Sequence, residues 1–263
     1  MINKSTNELY KTEFNRNLQK TCDINKKQGL SKQNILYADK DIVVVNKPQN
    51  MLTTPGHEDK FSLATIIQKM YKIPNIENMS PHRLDLQTSG IVIFTRNMNS
   101  LREISQQFRE HAVSKRYRAI VYAPLEQDSG EIDLPIGRDT LAGPPFFTID
   151  HSKDGRSAQT TYTVIERAEH CTLIELSPKT GRTHQLRLHM AALGHPILGD
   201  FFYSPSHVFK SSDRLLLHAE GLRIKHPTTG EEMSFVAPSN FCALREYNSR
   251  LLVEQGLEGR VGA

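Results

Sequence analysis

The sequence of 263 residues contains only three cysteines, Cys22, Cys171 and Cys242. Because their number is odd, they are far apart and no Cys-x-x-Cys pair occurs, neither a disulfide framework nor a cysteine zinc site is supported. No apolar run is long enough to cross a bilayer, and residues 1–17 lack the apolar core of a secretory signal. We therefore expect a reducing compartment, the cytosol or the nucleus, and take a cytoplasmic location as the prediction.

The sequence also has no large excess of charge of one sign. It contains 33 Lys and Arg and 29 Asp and Glu, which gives a net charge of +4. This balance permits a polyanionic partner without requiring one. No glycine-rich turn has the spacing of a P-loop or a dinucleotide fingerprint, so no nucleotide cofactor is implied. The nucleophile elbow Gly-x-Ser-x-Gly is also absent, which disfavours hydrolysis through Ser89.

The distribution of apolar residues predicts one folded domain between two peripheral segments. Residues 1–33 are rich in Asn, Lys, Gln and Thr without a sustained apolar period, so we predict a mobile N-terminal extension. We predict that residues 34–245 form the folded domain and that residues 246–263 form a C-terminal tail. The hydrophobic content of 38% is ordinary for a globular protein, and the chain is long enough to bury a sizeable core.

Strands outnumber helices in the sequence pattern, and the two do not alternate regularly. Helical spacing predicts three helices, one from a Ser62 cap to Tyr71, one with Leu101, Ile104, Phe108 and Ala112 on a single face, and one capped by Thr183 and ended by Gly194. Strand patterns occur at 35–48, 91–94, 117–123, 160–165, 172–176, 215–219, 222–225 and 233–236, with 160–165 and 172–176 as a hairpin. Residues 128–145 are turn-rich and are predicted as a surface excursion. The whole pattern favours an α+β fold with a mostly antiparallel sheet.

Three histidines, His184, His189 and His195, lie within twelve residues and raise the question of a metal site. Their spacing is not His-Glu-x-x-His, no carboxylate lies between them, and positions five apart lie partly on different faces of a helix. Hydrogen-bonded or phosphate-facing histidines are therefore favoured over zinc ligands, and no metal is predicted.

The segment HRLDLQTSG, which contains Asp85, concentrates reactive groups immediately before an apolar, strand-like run. Polar groups at the point where a loop enters a buried strand are a common location of functional sites. For an isolated Arg-x-Asp the better explanation is a turn-capping Asp85 with Arg83 as its surface ion pair. Carboxylate chemistry at Asp85, with Arg83, Tyr117 and Arg187 as partners, is the functional alternative.

Four segments, in order along the chain, resemble the motifs of one family. HRLDLQTSGIVIFTRN is similar to the second motif of the RluA branch of RNA pseudouridine synthases, which has HRLD followed two residues later by TSG. The family's Lys-Pro segment, its Lys-x-Tyr strand and its Gly-Arg-Thr-His-Gln block are matched by DIVVVNKPQNMLTTPG, SKRYRAIVYA and PKTGRTHQLRLHMAALGHPILGDFFY. The resemblance covers roughly residues 35–241 and is to the short members, of the dual rRNA/tRNA type, because residues 1–33 are too few to hold an S4 RNA-binding domain.

The resemblance implies a pseudouridine synthase fold for residues 34–245, which become the catalytic domain. This fold is α+β, with a mixed, mostly antiparallel central sheet flanked by helices and loops and a central RNA-binding cleft. The implied activity is isomerisation of specific uridines in stem-loops of rRNA, tRNA or both, after base flipping. The reaction moves the ribose from uracil N1 to C5 without redox change or group gain, so no cofactor is expected. A monomer is the simplest expectation.

The resemblance assigns the chemistry to three residues. Asp85 matches the catalytic aspartate, acting as a nucleophile on the sugar or the base or as a base at the ribose C2′. Each of these roles needs an ionised carboxylate, whereas burial alone raises the pKa of a carboxyl group and neutralises it. Arg187 matches the arginine that the family pairs with its aspartate, and a guanidinium stays charged. Tyr117 matches the tyrosine that lies against the target base.

The remaining candidates are predicted to hold the RNA. Arg83 is either the wedge that fills the place of the flipped base or a structural ion pair inside its loop. Lys115, Arg116 and Arg182 are predicted phosphate ligands. The predicted substrate contacts are completed by His82, Thr88, His184 and Leu186. A rival from another class is an RNA-binding or RNA-folding factor that keeps the scaffold without catalysis.

Overall fold

The computed structural model describes residues 23, 30–56, 61–73, 79–140 and 146–254. The chain forms two compact units, residues 1–105 and residues 106–263, and each is described by itself. Most of the predicted N-terminal extension and residues 255–263 of the predicted tail lie outside the described residues. Within the described ranges, no helix combines the length and the apolar character that a membrane span needs.

Three antiparallel strands organise the first unit. After a 3-10 turn at Lys32–Asn34, the elements are β1 (Ile35–Ala38), β2 (Ile42–Lys47), α1 (Leu63–Tyr71) and β3 (Ser89–Thr95), with β2 between β1 and β3. The side chain of Ser62 accepts a hydrogen bond from the Thr65 N–H, which confirms the predicted cap of α1. β3 is buried at all seven positions, as a short continuous apolar run predicts.

Helix α2 (Met98–Arg109) carries the chain from the first unit into the second. Ile104 is fully buried, in agreement with the predicted apolar face. The predicted face extended to Ala112, but the helix ends three residues earlier because His111 adopts a φ of 56°, in the left-handed region that terminates helices.

The second unit is built on six antiparallel strands. In spatial order these are β11 (Glu232–Val236), β10 (Leu217–Lys225), β4 (Ser114–Tyr122), β9 (Cys171–Pro178), β8 (Gln159–Arg167) and β5 (Ser129–Asp133). A separate hairpin consists of β6 (Ile136–Arg138) and β7 (Phe147–Ile149). β8 and β9 pair antiparallel, with Tyr162 opposite Leu176, so the predicted hairpin is confirmed.

Two strand predictions are wrong. The expected surface excursion at 128–145 contains β5 and β6, which the sequence hides because each strand is short and β5 buries a single residue, Ile132. The expected pair of strands at 215–219 and 222–225 is one strand, β10. The pairing of β10 with β4 shifts in register between Ala219 and Gly221, where β10 has a bulge. The bulge interrupts the alternating pattern of the strand, so the sequence suggests two strands instead of one.

Three helices complete the second unit, α3 (Gln185–Ala192), α4 (Ser206–Lys210) and α5 (Leu244–Glu254). The predicted cap of α3 at Thr183 is wrong, because the capping position is His184, with a φ of 56° and no side-chain cap bond. α5 occupies much of the predicted tail and buries Tyr247 and Leu251. The domain boundaries stay a prediction.

Helix α3 is buried on nearly all sides, from Gln185 to Met190. Leu186 and Met190 belong to the main hydrophobic cluster of the second unit, whereas Leu188 packs in a smaller cluster with Ile136. Full burial of a side chain of this size stabilises a fold by about 1.5–3 kcal/mol. α3 is therefore a rigid support for the one arginine that it carries.

Candidate active site

The loop that carries Asp85 is held by Lys47, the last residue of β2. Lys47 is 0% exposed, and its Nζ donates hydrogen bonds to the carbonyl oxygens of Pro48 (3.1 Å), Met51 (2.8 Å) and Leu86 (3.1 Å). A buried ammonium is tolerated only when its donors are satisfied, and three carbonyls match the three N–H groups. Lys47 therefore ties the residue after Asp85 to the turn that follows β2.

The backbone on both sides of Asp85 is anchored as well. Thr53 Oγ1 donates to the Leu84 carbonyl at 2.9 Å and accepts from the Leu84 N–H at 3.1 Å. The N–H of Thr88, a buried residue, donates to the Asp85 carbonyl at 3.2 Å. Asp85 itself is partly exposed, between the buried residues Leu84 and Gln87. The loop is thus preorganised around a carboxylate that solvent-borne molecules can reach.

Two predicted RNA contacts, His82 and Arg83, precede this carboxylate in the sequence. His82 Nε2 accepts a hydrogen bond from the Ile93 N–H at 3.1 Å, so this nitrogen is unprotonated and the ring anchors the loop to β3. Arg83 is exposed. Among the residues that the structure describes, no carboxylate lies within 4.0 Å of its guanidinium, so the structural ion pair considered for Arg83 has no partner there.

Strand β4 presents its predicted site residues on two different faces. Lys115 and Tyr117 are two positions apart and share a face, whereas Arg116 points to the opposite one. Lys115 Nζ donates to the Thr180 carbonyl at 2.9 Å, and burial lowers the pKa of Lys115 to about 8. Tyr117 is partly buried and packs against the main hydrophobic cluster. Lys115 therefore connects the Tyr117 face to the turn at Thr180.

The opposite face of β4 carries a network of four charges. Arg118 Nε lies 2.8 Å from a Glu220 carboxylate oxygen, and Arg118 Nη1 lies 3.4 Å from Glu175. Arg116 Nε lies 3.6 Å from Glu220 and 3.8 Å from Glu175. Two arginines and two glutamates balance each other on this face, which gives Arg116 carboxylate partners within the protein.

Arg187 is the largest fully buried side chain of the described chain and forms a two-pronged ion pair with Asp200. Its Nε donates to Asp200 Oδ2 and its Nη2 to Asp200 Oδ1, both at 2.7 Å. Asp200 Oδ1 also accepts from the N–H groups of Phe202 (2.8 Å) and Tyr203 (3.2 Å). Charge-assisted, bidentate bonds of this kind fix a guanidinium in position and orientation.

Aromatic rings enclose the same guanidinium. The Arg187 carbon Cζ lies 5.0 Å from the ring centre of Phe202 and 5.1 Å from that of Tyr203. His184 stacks on Phe202, with ring centres 5.6 Å apart and planes 21° apart, and its Nδ1 lies 2.6 Å from the Tyr203 hydroxyl. His184 is therefore part of the support of Arg187, and cation–π attraction adds to the ion pair.

Gln185 organises the turn that leads into α3. Its Oε1 accepts hydrogen bonds from the Thr180 hydroxyl (2.8 Å) and the Arg182 N–H (2.9 Å). Its Nε2 donates to the Gln159 carbonyl (2.9 Å) and the Thr160 hydroxyl (3.0 Å). The Gln185 N–H itself donates to the Arg182 carbonyl at 3.1 Å. A capping Thr183 would use this N–H or the next one, so the turn that Gln185 organises leaves Thr183 without that donor.

The other two histidines have separate partners. His189 is fully buried, with Nδ1 3.0 Å from the Thr160 hydroxyl and Nε2 3.0 Å from the Leu134 carbonyl, and burial lowers its pKa. His195 Nδ1 lies 3.0 Å from the Tyr122 carbonyl. These contacts agree with the preference for hydrogen-bonded histidines.

Comparison with known proteins identifies the family. The model of the RNA pseudouridylate synthase family matches residues 41–192, more than half of the chain. The chain belongs to this family. It is 44% identical over 208 residues to the dual-specificity RNA pseudouridine synthase RluA of Haemophilus influenzae, covering 79% of this chain and 93% of the relative. RluA of Escherichia coli K12 is 44% identical over 210 residues, with the same two coverages.

Solved structures support the pseudouridine synthase fold. Human RNA pseudouridylate synthase domain containing 1 superposes with a TM-score of 0.67 at 26% identity, covering 83% of this chain and 94% of that one. Human RNA pseudouridylate synthase domain containing 4 gives a TM-score of 0.64, also at 26% identity. The predicted α+β fold and family are confirmed, and the protein is an isomerase that acts on uridines in RNA.

Two buried residues that support site candidates were missed by the sequence-based prediction. Lys47 and Asp200 are buried and hold the Asp85 loop and Arg187, respectively. Both lie inside segments that resemble family motifs, which is the signal that would have found them. Leu186 is 6% exposed and part of the hydrophobic cluster, so its side chain has little surface for a substrate.

Proposed function

We propose that the protein converts specific uridines in stem-loops of rRNA and tRNA to pseudouridine, with Asp85 as the catalytic carboxylate. Dual specificity is part of the names of the bacterial relatives, and the 44% identity over most of their length supports the same two RNA classes here. The observation that carries the assignment of Asp85 is its loop, anchored on both sides by Lys47 and Thr53 around a partly exposed carboxylate. We further propose that the enzyme acts as a monomer in the cytoplasm.

The reaction is an isomerisation in which atoms and charge balance within the nucleotide. The bond between uracil N1 and ribose C1′ breaks, a bond forms from C5 to C1′, C5 loses its proton and N1 gains one. In our proposal Asp85 acts either on the sugar or base as a nucleophile or on the C2′ proton as a base. Tyr117 lies against the base and helps to move the C5 proton.

Arg187 is proposed as the cation that keeps the catalytic carboxylate ionised. A guanidinium carries its N–H donors in a fixed fork, and two of them bind Asp200. This bidentate pair lets the charged arginine remain buried in one fixed position. An arginine suits this role because it does not lose its proton.

Base flipping is assigned to Arg83. Its exposure, and the absence of an ion pair in the described chain, support the wedge over the structural alternative. Lys115 and Arg182 remain proposed phosphate ligands, with His82 and Thr88 shaping the loop. Arg116, His184 and Leu186 have partners inside the protein, and we propose structural roles for them.

The proposal is tested by mapping pseudouridines in all cellular RNAs with and without this protein. We expect a small set of uridines in rRNA and tRNA stem-loops to lose the modification in its absence. Expression of the wild-type protein should restore these sites, and expression of Asp85→Asn should not. Restoration by Asp85→Asn would contradict the assignment. Rescue of growth by that variant without any modification would favour an RNA-folding factor.

A further inference from the structure

A cavity of about 780 Å³ lies in the second unit, between the β6–β7 hairpin and the segment 181–183. Its lining combines cations and anions in equal number, namely Arg138, Arg156 and Arg182 with Asp139, Asp150 and Asp154. Pockets of about 300–1,000 Å³ are the size that holds small ligands. The cavity is large enough for a nucleotide.

The three arginines of this cavity share its lining with three aspartates but form no ion pair in the described ranges, where no carboxylate lies within 4.0 Å of any of their guanidinium groups. Arg182 Nε donates to the Ser157 carbonyl at 3.0 Å, which holds the side chain, while its terminal nitrogens have no hydrogen-bond partner in the described chain. Guanidinium groups that have no carboxylate partner can bind phosphate oxygens.

The aspartates make the cavity selective. Asp150 accepts the Ser152 N–H at 2.9 Å and is thereby fixed in the loop after β7. Carboxylates accept hydrogen bonds from hydroxyl and amino groups but repel a ligand that is anionic throughout. A ribonucleotide has an anionic phosphate, which can bind the arginines, and ribose hydroxyls and base amino groups, which can donate to the aspartates.

The third feature of the cavity is an aromatic side chain in its lining. Phe147 lines the cavity and is partly exposed, and its ring packs edge-on against His184 at 5.9 Å. Unpaired bases stack on aromatic side chains in proteins that bind single-stranded nucleic acids, which combine such stacking with a positively charged path for the backbone. Gly181 also lines the cavity, and its backbone borders open space, since an added Cβ would meet no atom within 4 Å.

We propose that this cavity binds an unpaired nucleotide of the substrate RNA outside the target uridine, with Arg138, Arg156 and Arg182 on its flanking phosphates. This inference rests on the proposed function. It adds two arginines and a stacking wall to the RNA contacts, and it predicts that the loop sequence around the target is read at a second position.

The test measures binding of a substrate stem-loop to the full-length protein over a range of salt concentrations. Each phosphate contact on a single strand contributes about −0.7 to the slope of log affinity against log salt. Replacing both Arg138→Gln and Arg156→Gln should make the slope shallower by about 1.4 and weaken binding. Arg223→Gln, an exposed arginine that does not line the cavity, is the matched control and should leave both quantities unchanged.

The possible results separate the cavity from the enzyme's function. Binding and modification by the wild type, with an unchanged slope in the double variant, would overturn the cavity proposal alone. An equal loss in Arg223→Gln would also overturn it, because the effect would then be one of overall charge. Inorganic polyphosphate that competes as well as the stem-loop would also overturn it, because the cavity would then bind any polyanion and not a nucleotide. A wild-type protein that neither binds nor modifies RNA would contradict the proposed function itself.

Discussion

Replacing Asp200 by asparagine removes the charge that balances Arg187 while keeping the shape of the side chain. Both side chains of this pair are 1% exposed, so the remaining guanidinium cannot be solvated. Removal of one partner of a buried ion pair costs about 3–5 kcal/mol. The asparagine oxygen can still accept from the N–H groups of Phe202 and Tyr203, so the loss is confined to the charge pair.

Thermal unfolding followed by circular dichroism measures this loss. For a chain of this size each kcal/mol lowers the melting temperature by about 2–4 °C, so Asp200→Asn should melt about 6–20 °C below the wild type. The control is Glu131→Gln, which breaks the pair with Lys179 at 2.9 Å, whose side chains are 50% and 55% exposed. Such a surface pair contributes about 0–1 kcal/mol, so the control should shift by less than about 4 °C.

A double variant decides whether the loss of the Asp200 charge beside Arg187 is the cause. Adding Arg187→Met to Asp200→Asn removes the buried guanidinium that has lost this partner, and the double variant should therefore melt above the single one. The reasoning is refuted if Asp200→Asn melts within about 2 °C of the wild type. It is also refuted if the double variant melts below the single one.

Three further predictions concern Lys47, Lys115 and Arg83. Lys47→Met leaves three carbonyl oxygens without their donor and releases the Asp85 loop. We therefore expect the rate of uridine modification to fall by about 100-fold. Lys40→Met, at an exposed position, is the control and should not change this rate. Burial lowers the pKa of Lys115 to about 8, so its positive charge is lost as the pH rises from 7 to 9. The RNA affinity of the wild-type protein, measured at constant ionic strength, should therefore fall around pH 8. The affinity of Lys115→Arg should stay constant over the same range, because arginine keeps its charge. The same lysine binds its proton more tightly in the unfolded chain, so its contribution to stability rises between pH 8 and 10.5. Arg83→Ala should slow modification of a uridine in a stacked stem-loop by about 10-fold or more, because unstacking the base costs a few kcal/mol. Modification of an unstructured oligonucleotide should slow much less, because its uridine is already unstacked. Equal slowing on both RNAs would exclude the wedge role of Arg83.

Local patterns account for the parts of the fold that the sequence predicts well. The Ser62 cap and the β8–β9 hairpin depend on residues that are close in sequence, so periodicity and capping rules find them. β5 and β6 were missed because a strand of three to five residues with one buried side chain has no measurable period. The strand β10 was split because Gly221 interrupts the pattern at a bulge that only the neighbouring strand reveals.

The candidate site residues stay predictions, and the structure adds partners to them that no local period shows. Arg187 is recognisable by its segment, but its ion-pair partner Asp200 lies thirteen residues further along, outside any helical or strand period, and only the family motif contains it. The cap of α3 could not be predicted for a similar reason, since the Gln185 side chain holds the preceding turn. For Arg116 the charge alone suggests a phosphate, whereas the structure adds two nearby carboxylates, Glu175 of β9 and Glu220 of β10.

Release of tritium from a stem-loop labelled at C5 of its uridines tests the central claim most directly, because pseudouridine formation must remove the C5 proton. The wild-type protein should release one tritium for each pseudouridine formed. Asp85→Asn should bind the same RNA and melt near the wild-type temperature but release none, while Asp213→Asn, at an exposed aspartate, should release tritium at the wild-type rate. Release at that rate by Asp85→Asn would contradict the account.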